Sequence, residues 1–536
     1  MLIPTLLVGF CSGLLFYGLS RLRFIRFIQY CHIPGPTPSL IWGHLNLIAK
    51  LIRPNISKHF QYAVHDLIKS QTHDSGLLFL DLRPAFYPMI VIYSHELAEQ
   101  VTRATPQFKN SLPKAPLEDV IGHVTGRDSF LMANGEHWKD IRKSFNPAFA
   151  PNHVATFTPQ IVEKVRLFLR GLDAHAESGA DFSLGERCTL LTLDVIGRTI
   201  LDIDVHSQDD ESEQHEVVRC FRELLANLPF WPQLEWLLSP RRYRRRMEIT
   251  RTIETSLQDI IKHKFDELHS ENPEKSDRSV LSLGLESIET LTPQKMRENI
   301  DSIRTFIFAG YDTTSVLLQW AFYELSRTPR ALAALRVELD RVLGPNSDPE
   351  VTADAIMSGE GKLGQLLYLS AIIKETLRLH PPAGTSRFVA PGSDFGLHTS
   401  QGVLRVDGAI IFLNHFSIQR DPAVYGASAE AWVPERWLEA REEPIPVSAW
   451  RPFERGPRSC IGQELAMLEA RLVLAMAVRR YDFTKVGLGA PILQADGSLK
   501  LDKHGQAEAG TPLYDTFNMS AKPVDGTQMK VKFREP

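Results

Sequence analysis

The sequence predicts a mainly α-helical protein with a small β portion, organised as one large domain behind an N-terminal transmembrane helix. Helical periodicity dominates residues 159–379. Within that region, Thr292 followed by Pro293 is typical of a helix start, and the pattern predicts one long helix that ends at Ser326. Glycine and proline become frequent in the last third of the chain, where short strands such as residues 408–412 are expected.

Composition narrows the class of protein. Of the 536 residues, 43% are hydrophobic and 23% are charged, which indicates a globular chain with a large core rather than a disordered one. The net charge of -4 gives no general attraction to nucleic acid, so no nucleic-acid partner is expected. The cysteines are odd in number and show no C-x-x-C pair, which argues against a disulfide framework or a zinc site: Cys11, Cys31, Cys188, Cys220 and Cys460.

The N-terminal residues 2–20 carry no charge and are long enough to cross a bilayer. Arg21, Arg23 and Arg26 follow at once, and positive charge on that side predicts that the rest of the chain faces the cytosol. A cleaved signal peptide is the alternative, but it would carry basic residues before the apolar run and a small-residue cleavage site after it. The reversed order of charges favours an uncleaved, single-pass anchor.

A proline-rich segment follows the apolar run. Pro34, Pro36 and Pro38 cannot continue a helix, and they predict an extended, stiff spacer. The predicted organisation is a membrane anchor with a basic flank at residues 1–32, a proline-rich hinge at 33–44 and one large domain at 45–536.

Residues 453–462 match the pattern F-x-x-G-x-R-x-C-x-G at every fixed position. This segment resembles the haem-binding loop of the cytochrome P-450 family. The resemblance implies haem b, with Cys460 as the axial iron ligand, Arg458 paired with a haem propionate and Phe453 packed over the thiolate. A thiolate ligand pushes electron density onto haem iron and favours cleavage of the O–O bond. The alternative, a buried and inert cysteine, would leave the surrounding pattern unexplained.

The predicted long helix contains Ala309, Gly310, Asp312 and Thr313 in the family pattern A-G-x-D-T-T. Two small residues would let the helix pass close to a flat cofactor and leave a notch for dioxygen. A carboxyl beside a hydroxyl offers a proton route, so the resemblance implies catalytic roles for Asp312 and Thr313. Without the surrounding motifs, a solvated aspartate or a threonine bonded to its own helix would be the better interpretation.

Two further family patterns lie in the expected order. Glu375 and Arg378 form E-x-x-R, one helical turn apart, and Arg436 follows in a P-E-R-W segment. The resemblance implies that these three form a structural ion-pair triad, with no chemical step assigned to them. Trp138 and Arg142 form W-x-x-x-R on one helix face, where the family contacts the haem propionates.

The family often places another propionate partner at the position of Arg387. Residues expected to line the substrate cavity are mostly apolar or small, which favours a lipophilic substrate; they lie at 111–123, near Thr305 and Phe308 of the long helix, and at 383–386. The resemblance therefore implies a monooxygenase in the membrane of the endoplasmic reticulum, with its catalytic domain in the cytosol. It would oxidise a lipophilic small molecule, which the resemblance to fungal members suggests is a polyketide or terpenoid of secondary metabolism.

No flavin or nicotinamide motif occurs in the chain, so electrons would come from NADPH through a separate flavin-containing reductase. Lys139, Lys143, Arg451 and Arg455 are candidates for a basic docking patch. Aromatic residues at 228–236 beside the basic run 241–246 suggest a further membrane contact. Two alternatives remain open: a haem-thiolate isomerase or dehydratase that acts on peroxides without a reductase, and a non-enzymatic membrane haem sensor or carrier.

Overall fold

A computed structural model of the chain describes residues 2–71, 75–116, 118–228, 235–270, 278–358, 361–439 and 443–535. The α-helices of these residues are α1 (Leu2–Phe27), α2 (Leu45–Ile52), α3 (Phe60–Lys69), α4 (His95–Thr102), α5 (Glu118–Thr125), α6 (Gly135–Phe145), α7 (Pro151–Ala155), α8 (Thr158–Ser178), α9 (Leu184–Ile196), α10 (Glu216–Ala226), α11 (Glu235–Leu238), α12 (Pro240–Leu268), α13 (Val280–Leu285), α14 (Pro293–Ser326), α15 (Pro329–Leu343), α16 (Pro349–Met357), α17 (Leu367–Leu379), α18 (His415–Ile418), α19 (Pro422–Tyr425) and α20 (Gln463–Arg480). The strands are β1 (Leu77–Asp81), β2 (Pro88–Ile92), β3 (Phe182–Ser183), β4 (Thr385–Phe388), β5 (Gly396–Thr399), β6 (Gly402–Arg405), β7 (Ile410–Leu413), β8 (Tyr481–Lys485), β9 (Asp515–Asn518), β10 (Ser520–Pro523) and β11 (Gln528–Phe533). The predicted mainly α class with a small β portion is confirmed.

The chain divides into two compact units. The first unit comprises Met1–Ala115, Gly384–Val424 and Pro446–Arg458, and the second comprises Pro116–Ala383, Tyr425–Ile445 and Ser459–Pro536. The boundaries predicted at residues 32 and 44 stay predictions. Residues 270–278 are polar with one proline, which predicts a loop, but residues 271–277 lie outside the described part of the chain.

The first unit is built on a four-stranded sheet with the order β1-β2-β7-β4. Strand β1 has the sequence LLFLD and is buried along its whole length, which is why it is apolar rather than alternating. It pairs antiparallel with β2, which pairs parallel with β7. The proline-rich segment is not a free spacer, because the Phe79 backbone N–H of β1 donates to the Pro34 carbonyl at 2.7 Å.

The second unit is organised around α14. Thr292 caps this helix by accepting a hydrogen bond from the Lys295 N–H at 3.2 Å, and Pro293 occupies its first turn, so the predicted start and the predicted end at Ser326 are both confirmed. Helix α14 packs against α9, α17, α20 and strand β10. Strand β10 pairs antiparallel with β9, and the two form a hairpin in the C-terminal region, where the sequence shows no recognisable pattern.

Candidate functional site

Cys460 lies at an exposed position immediately before α20, in the second unit. Arg142 of α6 reaches this loop, and its Nη1 donates to the Ser459 carbonyl at 2.8 Å. Trp138, one turn earlier on α6, is buried, and its ring centroid lies 5.6 Å from the Arg142 guanidinium carbon. Burial lowers the pKa of Arg142, and the charge of a Cys460 thiolate opposes that shift. The structure therefore brings Trp138, Arg142 and the Cys460 loop together.

The first half of the cysteine motif belongs to the first unit. Gly456 has φ of 75°, and a Cβ there would lie 2.2 Å from the Thr102 carbonyl oxygen, so only glycine fits the turn. The Phe453 ring lies with its centroid 6.0 Å from that of Trp450. Arg458 is buried. The loop is thus fixed by backbone packing as well as by its side chains.

Glu454, inside this half of the motif, is held in a buried charge cluster. His415 Nε2 hydrogen-bonds its carboxylate at 3.0 Å, and Arg451 Nε donates to it at 2.8 Å. Although burial raises the pKa of Glu454, the positive charges of His415, Arg451 and Arg387 lower it to about 2. Gln419 accepts a hydrogen bond from the Arg451 backbone N–H at 2.7 Å. The cluster keeps the loop rigid.

Arg387 is fully buried on β4 of the first unit. Its Nη1 donates to Thr385 Oγ1 at 2.8 Å and to the Ser386 carbonyl at 3.1 Å, and its Nε contacts Ser111 Oγ at 3.4 Å. Its Nη2 has no hydrogen-bond partner among the described residues. Burial lowers the pKa of Arg387 to about 10, against the opposing charge of Glu454. A buried guanidinium nitrogen without a partner is suited to an anionic ligand.

Helix α14 has a short strip that the protein does not bury. All residues from Ser302 to Leu325 are buried except four, which form the strip: Phe308, Ala309, Gly310 and Thr313. The Thr313 hydroxyl donates to the Ala309 carbonyl at 2.7 Å, which is a bond to its own helix. Gly310 has a packing role that the sequence did not predict, because a Cβ there would lie 2.3 Å from Ile196 Cδ1 of α9.

Asp312, the residue before Thr313, is almost completely buried. Its Oδ2 accepts a hydrogen bond from Ser520 Oγ at 2.5 Å, and its Oδ1 forms an ion pair with Lys522 Nζ. Both partners lie on β10. Lys522 is one-quarter exposed and, with Tyr311, lines a polar cleft of about 1060 Å³ in the second unit. The acid is therefore connected to the protein surface through Lys522.

The structure brings the predicted triad together in the second unit. Arg378 donates to both carboxylate oxygens of Glu375, at 2.9 and 2.8 Å, and Arg436 Nε donates at 2.9 Å. The Val433 N–H and the Trp437 indole N–H add bonds at 2.8 and 3.0 Å. Burial raises the pKa of Glu375, but the positive charges of Arg378 and Arg436 lower it by more. The pKa is therefore below its ordinary value, and the carboxylate stays charged.

The predicted basic docking patch is wrong at one position. Arg451 is fully buried, where it forms ion pairs with Glu99 and Glu454, so it cannot be a surface charge. Arg455 is partly exposed and also pairs with Glu99. In the second unit, Lys139 and Lys143 of α6 are exposed, on the helix whose buried side carries Trp138.

The predicted membrane contact at 228–236 falls partly on residues 229–234, which lie outside the described part of the chain. Helix α11 next to them exposes Trp236, Leu237 and Leu238 by about 60% each. Arg246, counted in the predicted basic run, is instead buried in an ion pair with Glu235. The exposed part of the run is limited to residues 241–245.

The sequence model of the cytochrome P-450 family matches residues 34–506. The chain belongs to the cytochrome P-450 family. It is 30% identical over 487 residues to the cytochrome P-450 monooxygenase polC of Polytolypa hystricis, with 86% of this chain and 83% of the relative covered. It is 30% identical over 481 residues to the cytochrome P-450 monooxygenase acrF of Aspergillus aculeatus, with 85% and 94% covered.

A crystal structure of a cytochrome P-450 has the same fold, with a TM-score of 0.70, 20% identity, and 89% of this chain and 99% of that chain covered. As a member of this family, the chain is a haem-thiolate oxidoreductase of the monooxygenase class, and haem is its cofactor. The residues present fit that group. Arg387 offers a buried nitrogen without a partner, α14 leaves a strip of small residues open, and Cys460 is exposed at the start of a helix.

Sequence reasoning missed three residues at these positions. Ser520 and Lys522 contact Asp312 across 208 and 210 residues of chain, and no pattern around them indicates it. Trp437 could have been found, because it is the last residue of the P-E-R-W segment that contains Arg436. Its indole N–H bonds Glu375.

Proposed function

We propose that this protein is a membrane-anchored monooxygenase that inserts oxygen from dioxygen into a lipophilic small molecule, with Cys460 as the iron ligand of haem b. The observation that carries the proposal is the Cys460 loop: its motif is complete, and Arg142 holds the neighbouring Ser459 carbonyl. Thiolate-ligated haem supplies dioxygen activation when it is bound. The start of α20 directly after the loop favours negative charge on the sulfur.

The remaining haem contacts are proposed from the family pattern. Arg387 and Arg458 would bind propionate oxygens, and Arg387 is supported by its buried Nη2 without a partner. Trp138 and Arg142 would do so as an indole donor and a cation. Phe453 would shield the sulfur. For the strip at Ala309 and Gly310, the support is that these two residues are not buried although most of residues 302–325 of α14 are.

A proton route is supported by the contacts of Asp312. Lys522 Nζ is the group that joins the buried carboxylate to the polar cleft, and Ser520 Oγ fixes the second carboxylate oxygen. Protons would pass from water in the cleft to Lys522 and Asp312, and then to the open side of α14. The Thr313 hydroxyl donates to the Ala309 carbonyl, so its oxygen remains able to accept a hydrogen bond.

The Glu375–Arg378–Arg436 triad is proposed to be structural. All its groups are buried, and the carboxylate accepts bonds from two arginines, an indole and a backbone N–H. Such a cluster fixes the positions of α17 and of residues 433–437 and offers no group to a substrate. We assign it no chemical step.

Membrane attachment is proposed through α1. Its stretch Leu6–Phe27 is apolar enough and long enough to cross a bilayer, and residues 6–20 are exposed throughout, whereas Arg26 near the end of the stretch is buried. Arg21 and Arg23 are exposed beyond the apolar run and favour a cytosolic position for the rest of the chain. We propose the endoplasmic reticulum as the membrane. As substrate class we propose a lipophilic compound of secondary metabolism, because the segments expected to line the cavity are mostly apolar or small and the sequence resembles fungal members of the family.

Electrons are proposed to come from NADPH through a separate flavin-containing reductase. Helix α6 supports one docking position, because Lys139 and Lys143 are exposed on the helix that bonds the Cys460 loop. The test is to replace dithionite with NADPH and reductase and to follow formation of the ferrous carbon-monoxide complex. We expect the complex to form only with both components present. Its formation should slow in Lys139→Glu/Lys143→Glu and stay unchanged in the control Lys262→Glu, an exposed charge on α12.

Failure of the reductase to reduce the wild type would favour the reductase-independent isomerase or dehydratase. Equal rates in the α6 variant and the control would refute docking at α6 and leave the electron donor itself unaffected. Dithionite reduction of every variant is the reference, since it needs no protein partner.

A further inference from the structure

The segment between α1 and the first sheet forms a closed loop with an apolar tip. The Ser39 and Gly43 backbones bond each other in both directions, at 2.8 and 3.0 Å. Between them, Leu40, Ile41 and Trp42 are 39%, 61% and 51% exposed. We call residues 39–43 the apolar loop. Three adjacent large apolar side chains on a tight loop are unfavourable in water, because the transfer of apolar surface from water to an apolar environment lowers the free energy.

Arg26, in the last turn of α1, holds this loop. Its Nε donates to the Leu40 carbonyl at 3.1 Å, and its Nη2 donates to the Ile41 carbonyl at 2.6 Å. Its Nη1 forms an ion pair with Asp81 of β1 at 2.7 Å, and both side chains are buried. Although burial raises the pKa of Asp81, hydrogen bonds from Arg83 and Arg26 lower it, so the carboxylate remains charged.

The rest of the loop is fitted around this ion pair. Gly43 has φ of 55°, and a Cβ there would lie 2.4 Å from the Asp81 carbonyl oxygen and 2.7 Å from Arg26 Nη1. His44 accepts a bond from the Asp81 N–H at 2.7 Å and bonds the Pro36 carbonyl at 2.6 Å. Burial lowers the pKa of His44, which suits this neutral arrangement. The end of α1, the loop and β1 are therefore joined by buried polar bonds.

We propose that the apolar loop is an additional membrane contact, in which Leu40, Ile41 and Trp42 enter the headgroup layer of the bilayer that α1 crosses. The inference rests on the proposed membrane span of α1. A lipid surface is the occupant favoured by the contacts, because Arg26 of the span itself bonds two carbonyls of the loop. The indole of Trp42 combines an apolar ring with a polar N–H, which suits the bilayer interface.

The proposal gives Arg26 a role different from that of its neighbours. Arg21 and Arg23 are exposed and can meet lipid headgroups, whereas Arg26 is buried and joins helix to loop. The first unit would then be attached at two linked points rather than through a flexible tether. Its tilt relative to the membrane would follow from the Arg26–Asp81 ion pair.

The test places the full chain in phospholipid nanodiscs that contain lipid brominated near the headgroups, which quenches tryptophan fluorescence at that depth. The chain has 8 tryptophans, so the contribution of Trp42 is taken as the difference between wild type and Trp42→Phe. The matched control is Trp450→Phe, a half-buried tryptophan of the same unit. We expect Trp42→Phe to lose a clear part of the quenching and Trp450→Phe to lose little.

The ion pair is tested in the same nanodiscs with Arg26→Gln against Arg21→Gln, which removes the same charge from the same helix. Arg26→Gln should reduce the Trp42 quenching, Arg21→Gln should retain it, and Arg26→Lys covers the case in which the glutamine variant fails to fold. Wild-type chain retained in the nanodisc without Trp42 quenching would overturn the membrane contact. Chain not retained at all would refute the span of α1 instead. Equal quenching in both glutamine variants would overturn the role of Arg26.

Discussion

Replacing Glu375 by glutamine is the sharpest perturbation of the structural triad. The substitution keeps the size and shape of the side chain. In the wild type, the two Glu375 oxygens accept two hydrogen bonds from Arg378, one from Arg436, and one each from the Val433 and Trp437 N–H groups. Glutamine retains one acceptor oxygen and turns an NH2 group toward arginine donors. Both arginines then remain buried and lose the negative charge of Glu375.

The expected loss follows from these contacts. At least two charge-assisted hydrogen bonds disappear, each contributing about 1.5–3 kcal/mol, which agrees with the loss of about 3–5 kcal/mol for breaking one partner of a buried ion pair. With a urea dependence of about 3 kcal/mol per M, the unfolding midpoint of Glu375→Gln should fall by about 1–1.7 M at neutral pH. Far-UV circular dichroism of the full chain measures the midpoint.

The matched control is Glu350→Gln, because Glu350 is exposed and pairs with Arg166 at 2.6 Å. Its effect should stay within about 0.5 kcal/mol. The pKa of Glu375 is lowered by folding, so its stabilisation is present above its ordinary value of 4.5 and is lost as pH falls below it. The gap between wild type and Glu375→Gln should therefore narrow in acid. Equal midpoints for the two variants at neutral pH would mean that the buried Glu375 stabilises the fold no more than the exposed Glu350 does.

Four further outcomes are expected. Glu454→Gln should remove a stabilisation on the order of 3 kcal/mol that the wild type loses between pH 4.5 and about 2, measured by acid unfolding. Lys522→Met should raise hydrogen peroxide release roughly tenfold per NADPH consumed, because Asp312 loses its connection to the cleft. Asn55, in an N-x-S sequon, should carry no glycan in microsomes, by mass spectrometry, because a cytosolic domain is not glycosylated. Trp437→Phe should cost about 1.5–3 kcal/mol in urea unfolding, through one hydrogen bond to a charged group.

Each of these outcomes has a contrary result. An acid-unfolding curve identical in Glu454→Gln and wild type would mean that the folded pKa of Glu454 is not lowered. Unchanged peroxide release in Lys522→Met would remove Lys522 from the proton route. A glycan on Asn55 would place the catalytic domain in the lumen, and an unchanged midpoint in Trp437→Phe would mean that water replaces the indole bond.

Local patterns predicted the parts of the molecule that local physics determines. The start of α14 at Pro293 follows from a capping threonine and a proline in the first turn, which need no tertiary contact. The pairing of Glu375 with Arg378 follows from their spacing of one helical turn. One part of the cysteine motif is also local, because Gly456 has φ of 75°, a backbone conformation that favours glycine whatever its neighbours.

Long-range partners could not be predicted. Arg26 and Arg451 look like surface charges in the sequence, yet both are buried, because Asp81 and Glu99 lie 55 and 352 residues away and supply the counter-charges. Lys522 became a partner of Asp312 only through the position of β10. The burial of a charged residue depends on tertiary partners, and periodicity contains no information about them.

A carbon-monoxide difference spectrum tests directly whether Cys460 is the thiolate ligand of a haem. The purified chain is reduced with dithionite, exposed to carbon monoxide, and compared with Cys460→Ser and with Cys31→Ser, which removes an exposed cysteine elsewhere. We expect the red-shifted Soret band of a thiolate-ligated haem in wild type and in Cys31→Ser, and its loss in Cys460→Ser. A band typical of histidine ligation in the wild type, or a red-shifted band that survives in Cys460→Ser, would contradict ligation by Cys460.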